Sequence, residues 1–264
     1  MNDQKLYECK WLPRPCPICG ENISITIMGH RTRELTSTIG TFIFELYDTV
    51  CERCGFIFNR RVPPHDFLAE YYRNSTMLLE PNYDLDARLD LVRQTVEPGL
   101  SIMEFGSKRG EFVLALNENN YRADGYDIAS ELKIGKAYDA ALAYYILEHL
   151  VDPGAFLELI KRSVRPGGTI IIEVPDFTNY TLHSLYIEHF NHFTRQHLIT
   201  LITNHNLELI DIFSGHSREY GITAIVRKGA DQTNYDAYID TMDEFEAYWQ
   251  KKMAEGWGGK LRQN

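Results

Sequence analysis

Four cysteines in two matching knuckles carry the plainest chemistry in this 264-residue chain. "CPICG" runs from Cys16 to Gly20, and "CERCG" from Cys51 to Gly55. Two thiolates in a Cys-x-x-Cys turn can curl around one ion, and the following Gly allows the tight turn that aims backbone N–H groups at the sulfurs. Two such knuckles make a four-thiolate tetrahedral site, which zinc fills without redox chemistry. Four protein ligands leave no open position, so the expected role of Cys16, Cys19, Cys51 and Cys54 is structural. Cys9, the fifth cysteine, is expected to be a bystander. All five lie within the first 54 residues, a clustering that in a reducing compartment points to metal rather than disulfides.

A second constellation is "EFGSKRG", Glu104 to Gly110, which follows a short apolar run and precedes a helical pattern. Gly106 and Gly110 let the backbone approach a ligand closely, and the helix N-terminus beyond them offers N–H groups. A third is a set of histidines beside carboxylates. His149 follows an apolar run in "YYILEHL", and Glu188, His189 and His192 fall in "YIEHFNHFT". Imidazole titrates near neutrality, which suits it to moving protons.

The elements that must position these groups alternate. Two amphipathic helices, "HDFLAEYY" and "YDLDARLDLVRQTV", precede the glycine loop; the second has Leu85, Leu89, Val92 and Val96 at helical spacing. Pro98-Gly99 stops it. "LSIMEF", "RADGYD", "DAALAY", "TIIIEV", "LELIDIF" and "GITAIVR" read as strands, with helices at "PGAFLELIKRSV" and "TRQHLITLITNHN". Fully apolar strands alternating with helices predict a doubly wound, Rossmann-like, mostly parallel α/β sheet covered on both faces, with ligands at the carboxyl ends of its strands. Between the cysteine knuckles, "ISITIMG" and "TFIFELYDTV" predict the strands of a zinc ribbon. The expected organisation is a zinc-ribbon module over residues 1–62, a helical linker or lid over 63–98, the Rossmann-like core over 99–229 and a C-terminal helix over 230–264. That last helix would place Tyr235, Ile239, Met242, Phe245 and Trp249 on one face, for packing on the body or for a dimer contact.

"EFGSKRG" departs from the dinucleotide pattern G-x-G-x-x-G. It resembles the acid-x-Gly-x-x-x-Gly loop of class I S-adenosylmethionine-dependent methyltransferases. "YYILEHLVDPGAFLELIKRSVRPGGTIIIEVPD" resembles that family's fourth strand, helix and fifth strand, and Asp127 ends the intervening strand. The resemblance runs from about Glu97 to Lys228. It implies S-adenosyl-L-methionine as cofactor, with Glu104, Gly106, Ser107 and Gly110 at its methionine end and Asp127 on the ribose hydroxyls. The ribbon, "EYY" and "YIEHFNHFT" together are similar to a bacterial group acting on sugars, including nucleotide-sugar C-methyltransferases. That similarity implies His189 as a general base beside Glu188, His149 near the reactive end of the cofactor, and a small-molecule substrate, a sugar or surface-glycan precursor. Tyr71 and Tyr72 either cover the cofactor or pack the ribbon on the core.

Two alternatives stand beside this one. The ribbon would hold RNA in an RNA methyltransferase; a net charge of −10 and the lack of a basic run speak against a nucleic-acid partner. A degenerate member would bind a ligand or partner without catalysis. No apolar run nears the ~18 residues of a membrane span, and no apolar signal segment opens the chain, so the expectation is a cytoplasmic monomer or homodimer.

One stretch breaks the family layout. Only "IASELKIGKAY" separates Asp127 from Asp139. Eleven residues reach at most ~36–40 Å, enough to cross under the sheet but too short for a helix, a strand and another helix. The edge strand usually numbered third is therefore expected to be missing, leaving six strands, with Ile128 and Leu132 as apolar supports for the adenine.

Overall fold

The computed structural model describes residues 5–22, 24–26, 30–75, 84–127, 137–179 and 189–229. Ile128, Leu132, Glu188 and the expected C-terminal helix lie outside the described residues.

The N-terminal quarter is built of short strands: β1 (Leu6–Tyr7), β2 (Leu12–Pro13), β3 (Ser24–Thr26), β4 (Arg31–Thr36), β5 (Thr41–Leu46), β6 (Asp48–Cys51), β7 (Ile57–Asn59) and β8 (Arg61–Val62). The apolar run "TFIFELYDTV" divides at Tyr47 into β5 and β6, which join different sheets. β5 pairs with β1 and with β4, a charged strand that apolar patterning does not flag. β6 pairs with β3 and β7 and carries Cys51 into the second knuckle. Helix α1 (His65–Asn74) buries Phe67, Leu68 and Tyr71 against Phe42 and Phe44 of β5. The rings meet edge to face at centroid separations of 5.0–5.6 Å, the arrangement that aromatic quadrupoles favour.

Helix α2 (Leu85–Thr95) starts at Asp84, whose carboxylate accepts the Ala87 N–H at 2.9 Å, a side-chain N-cap. The core then runs β9 (Ser101–Phe105), α3 (Glu111–Glu118), β10 (Arg122–Tyr126), β11 (Tyr138–Tyr144), α4 (Pro153–Ser163), β12 (Val164–Pro175), β13 (Asn191–His192), α5 (Arg195–Asn204), β14 (Glu208–Ser214) and β15 (Gly221–Arg227). Six of these strands form one sheet in the order β10-β9-β11-β12-β15-β14. The first four are mutually parallel, and β15 runs antiparallel to both of its neighbours. β10 is the edge, and among the described residues no strand lies outside it. The six-stranded core expected from the short Asp127–Asp139 connection is the one observed.

Apolar clusters cover the two faces. Val92, Phe112 and Leu116 of α2 and α3 pack on one with Ile102, Leu142 and Ile171. Leu157, Ile160, Leu198 and Ile202 of α4 and α5 pack on the other with Phe105, Ala143 and Ile172. Each such buried side chain contributes roughly 1.5–3 kcal/mol. The second cluster continues into the cysteine module through Ile18, Cys16, Cys51 and Phe56. β13, from beyond β12, pairs with β7 at Asn191↔Phe58, so the last third of the chain completes an N-terminal sheet.

Candidate functional site

The carboxyl ends of the parallel strands carry three buried glutamates. Glu104 near the end of β9 is 5% exposed, Glu148 in the turn after β11 is 1%, and Glu173 in β12 is 0%. Glu173 is satisfied: Tyr145 Oη donates to Oε1 at 3.0 Å and Ser217 Oγ to Oε2 at 2.8 Å. Arg88 of α2, itself buried, donates Nε to Ser217 Oγ at 3.3 Å and stacks over the Tyr144 ring at 4.2 Å. Arg218 lies over the Tyr145 ring at 4.0 Å.

The other two carboxylates are under-satisfied. Glu104 Oε2 and both Glu148 oxygens have no hydrogen-bond partner among the described residues. Burial pushes Glu104 up to about 7, opposed by Arg88 and Lys108 and assisted by Glu111. Burial pushes Glu148 up to about 8, although Arg218 and Lys108 favour its charge. Desolvation outweighs the nearby cations at both acids.

The glycine loop is folded tightly on the next strand. Gly106 N–H and Ser107 N–H both donate to Tyr126 O, at 2.7 and 3.1 Å, and Gly110 N–H donates to Ser107 O at 2.7 Å. The two N–H groups that open the loop are thus committed to β10. Gly106 sits at φ +76°, and a Cβ there would lie 2.1 Å from Ile146 Cδ1, so only glycine fits its conformation without strain. Lys108 N–H donates to Asp127 Oδ2 at 3.3 Å, which joins the loop to the end of β10.

His149 and His189 meet. Their rings stand perpendicular with centroids 4.7 Å apart, and ligand atoms of Glu148, His149 and His189 all lie within 4.8 Å of one another. His149 Nε2 is 3.8 Å from Glu148 Oε1, and its Nδ1 is 3.2 Å from Tyr72 Oη. Burial, then the charges of His149, His192 and Arg218, hold His189 well below the usual imidazole range. It is therefore neutral near pH 7, and a weaker base than an ordinary imidazole. The spacing also suits a metal ion.

Of the two tyrosines left open by the sequence, Tyr71 packs in the aromatic cluster while Tyr72 reaches His149. His192 has its Nε2 3.7 Å from Asp48 Oδ1 in the N-terminal sheet, while its charge also acts on His189. Glu148, Glu173, Arg88 and Tyr145 were not singled out from the sequence. For two of them a signal was there to read. Glu148 lies inside the same "LEH" turn as His149, and Glu173 is the lone charge in the apolar run "TIIIEV". Tyr145 betrays itself only in the backbone, at φ +57°, a strained conformation of the kind that collects at functional sites.

The four knuckle sulfurs also converge within 4.8 Å. Cys16 Sγ is 3.6 Å from Cys54 Sγ, and Cys19 Sγ is 3.5 Å from Cys51 Sγ. A tetrahedron with ~2.3 Å zinc–sulfur bonds has edges of about 3.8 Å, so the donor set fits zinc closely. Each knuckle closes the same way: Gly20 N–H donates to Cys16 O and Gly55 N–H to Cys51 O, both at 2.9 Å. Cys9 lies outside this cluster, against the aromatic core, with its thiol pushed up to about 11 by burial.

The doubly wound six-stranded sheet with its acid-and-glycine loop is a class I S-adenosylmethionine-dependent methyltransferase fold, and the chain belongs to the family described as "Methyltransferase domain", whose model matches residues 75–212. It is similar to the C-methyltransferase NovU of Streptomyces niveus, 23% identical over 239 residues; the match covers 75% of this chain and 56% of that relative. The chain thus spans little more than half the length of the curated relative. Among solved structures it resembles 1,6-didemethyltoxoflavin-N1-methyltransferase of Burkholderia thailandensis, at 19% identity and TM-score 0.46 over 55% of this chain and 77% of the other. It also resembles a SAM-dependent methyltransferase of Archaeoglobus fulgidus, at 16% identity and TM-score 0.42 over 62% and 100%.

Proposed function

We propose that this chain transfers a methyl group from S-adenosylmethionine to carbon in a small molecule, a sugar or surface-glycan precursor. The observation that carries the proposal is the pair of buried, under-satisfied carboxylates flanking the glycine loop at the strand ends. Oxygens held out of water without partners favour a cationic ligand. S-adenosylmethionine offers two cations, an ammonium and a sulfonium. Glu104 accepts the ammonium in this reading, and Asp127 the ribose hydroxyls. When bound, the cofactor supplies an electrophilic methyl group.

Transfer to carbon is the activity named for the Streptomyces relative, and it suits the histidine pair. Such an acceptor carries a C–H beside a carbonyl, and His189, neutral near pH 7, takes that proton. The carbon then gains the methyl while the sulfonium leaves as a thioether. His149, held by Tyr72 and lying beside Glu148, orients or relays for His189. The four-cysteine centre holds one structural zinc.

The test is incubation with methyl-deuterated S-adenosylmethionine and a panel of nucleotide-linked keto sugars, read by mass spectrometry and carbon NMR. A product with a deuterated methyl on carbon supports the proposal. Transfer confined to oxygen or nitrogen would overturn the carbon assignment, and loss of transfer across acceptors that the relative accepts would overturn the substrate class.

A further inference from the structure

Arg14 leaves the first knuckle two residues before Cys16 and reaches across the molecule. Its Nε donates to Asn59 O at 2.8 Å and its Nη1 to Val151 O at 2.6 Å. Its Nη2 donates to Phe190 O at 2.7 Å and to Asn191 Oδ1 at 3.0 Å. Val151 lies two residues after His149, and Phe190 directly follows His189. One planar fork therefore spans the cysteine module, the turn that carries His149 and the segment that carries His189. Only guanidinium, with five fixed donors, can serve four acceptors laid out in this way.

The same two segments are tied twice more. Asn191, fully buried, donates its amide to Leu147 O and Leu150 O, both at 2.8 Å, on either side of Glu148 and His149. Phe190 N–H donates to Glu148 O at 2.7 Å. Asn191 is itself held by Arg14 through its amide oxygen. The separation of the two imidazoles is held by this lattice; Asn59 N–H, just after the second knuckle, also donates to Phe190 O at 2.8 Å, and Arg14 is the member that reaches both histidine segments from the first knuckle.

We propose that Arg14 is a positioning residue: it holds the His149 turn and the His189 segment in register, and through it the tetracysteine centre sets the geometry of the histidine pair. The inference rests on the reading of His149 and His189 as the proton-handling pair. The cysteine centre then has a role beyond stabilising its own module, because displacement of the first knuckle moves the fork.

The experiment uses the full zinc-loaded chain labelled with 13C and 15N in its histidine rings, with His149→Gln and His189→Gln variants to assign the two signals. Arg14→Gln and Arg14→Lys are compared with wild type, and S-adenosylhomocysteine affinity is measured alongside by calorimetry. The ring signals of His149 and His189 are expected to move in both variants. Those of His205, bonded to Glu158, and His216, bonded to Ala87 O, should stay in place. Affinity for S-adenosylhomocysteine should hold within about threefold, because the glycine loop accepts none of the Arg14 bonds. If the Gln variant does not fold, the Lys variant decides by the same comparison, since ammonium keeps the charge but not the fork. The proposal is overturned if both histidine signals stay at their wild-type positions, or if all four histidines move together. Wild-type protein that does not bind S-adenosylhomocysteine would refute the methyltransferase reading, while the ring signals would still decide the role of Arg14.

Discussion

Cofactor affinity should depend steeply on pH, and the slope should belong largely to Glu104. Its carboxyl is raised to about 7 by burial against the opposing pull of Arg88 and Lys108. Below that value the group is a neutral acid and must lose its proton before it can pair with the ammonium of the cofactor. The dissociation constant then rises as 1 + 10^(pKa − pH), which between about pH 7.5 and about pH 6 amounts to roughly eightfold. The α-amino group of the ligand, with an ordinary value near 7.7–8.0, stays mostly protonated over this range and does not mask the effect. The assay is calorimetric titration with S-adenosylhomocysteine, which keeps the ammonium and lacks the sulfonium. Glu104→Gln should bind more weakly and lose most of the slope. A wild-type constant that changes less than about twofold across the interval, or a Gln variant with the wild-type slope, would refute the assignment of Glu104 to the ammonium.

Four other outcomes are expected. Cys16→Ser or Cys54→Ser should lose the metal by elemental analysis and destabilise the fold by several kcal/mol in denaturant titration, because the knuckles pack on α5 through His197 Nε2–Cys54 O at 2.8 Å and Asn204 Nδ2–Ile18 O at 3.2 Å. His189→Gln should slow transfer to a keto sugar by about 10²–10⁴-fold with cofactor affinity retained, measured by single-turnover mass spectrometry. Glu148, whose folded-state value of about 8 exceeds the ordinary 4.5, stabilises the fold fully at low pH and loses that contribution as pH rises from 4.5 through 8; Glu148→Gln should flatten this decline, which is at most ~1.4 kcal/mol per pH unit, in thermal unfolding at several pH values. Gly106→Ala should cost about 1–2 kcal/mol of stability through its left-handed backbone and weaken cofactor binding, read by denaturant midpoint and calorimetry.

The fold was legible because its signals are local. Apolar runs, Pro98-Gly99 and the acid-and-glycine loop each announce an element within a few residues, and chain reach set against the family layout led to the expectation of a six-stranded core with no strand outside β10, which holds among the described residues. The split of "TFIFELYDTV" at Tyr47 was hidden, since both halves are apolar and only their partners differ. In the site, His149 and His189 were each named from the resemblance, but their meeting and their neighbours were not expected from it. Arg88 comes from a helix before the first core strand, and Arg14 from the cysteine module, 137 residues from Val151. Contacts at such separations leave no periodic trace. Glu148 and Glu173 were readable as charges in apolar surroundings. What burial does to them depends on which cations the fold brings near.

In the proposed function, the strand ends around Glu104, Asp127 and the Gly106–Gly110 loop hold S-adenosylmethionine. Native mass spectrometry of the purified full chain, before and after addition of S-adenosylmethionine, tests it most directly. A species carrying one cofactor molecule together with one zinc is expected, with the cofactor adduct weakened in Glu104→Gln even near pH 7.5, where the wild-type carboxyl is mostly ionised. A zinc-loaded protein that takes up no cofactor at saturating concentration would contradict it.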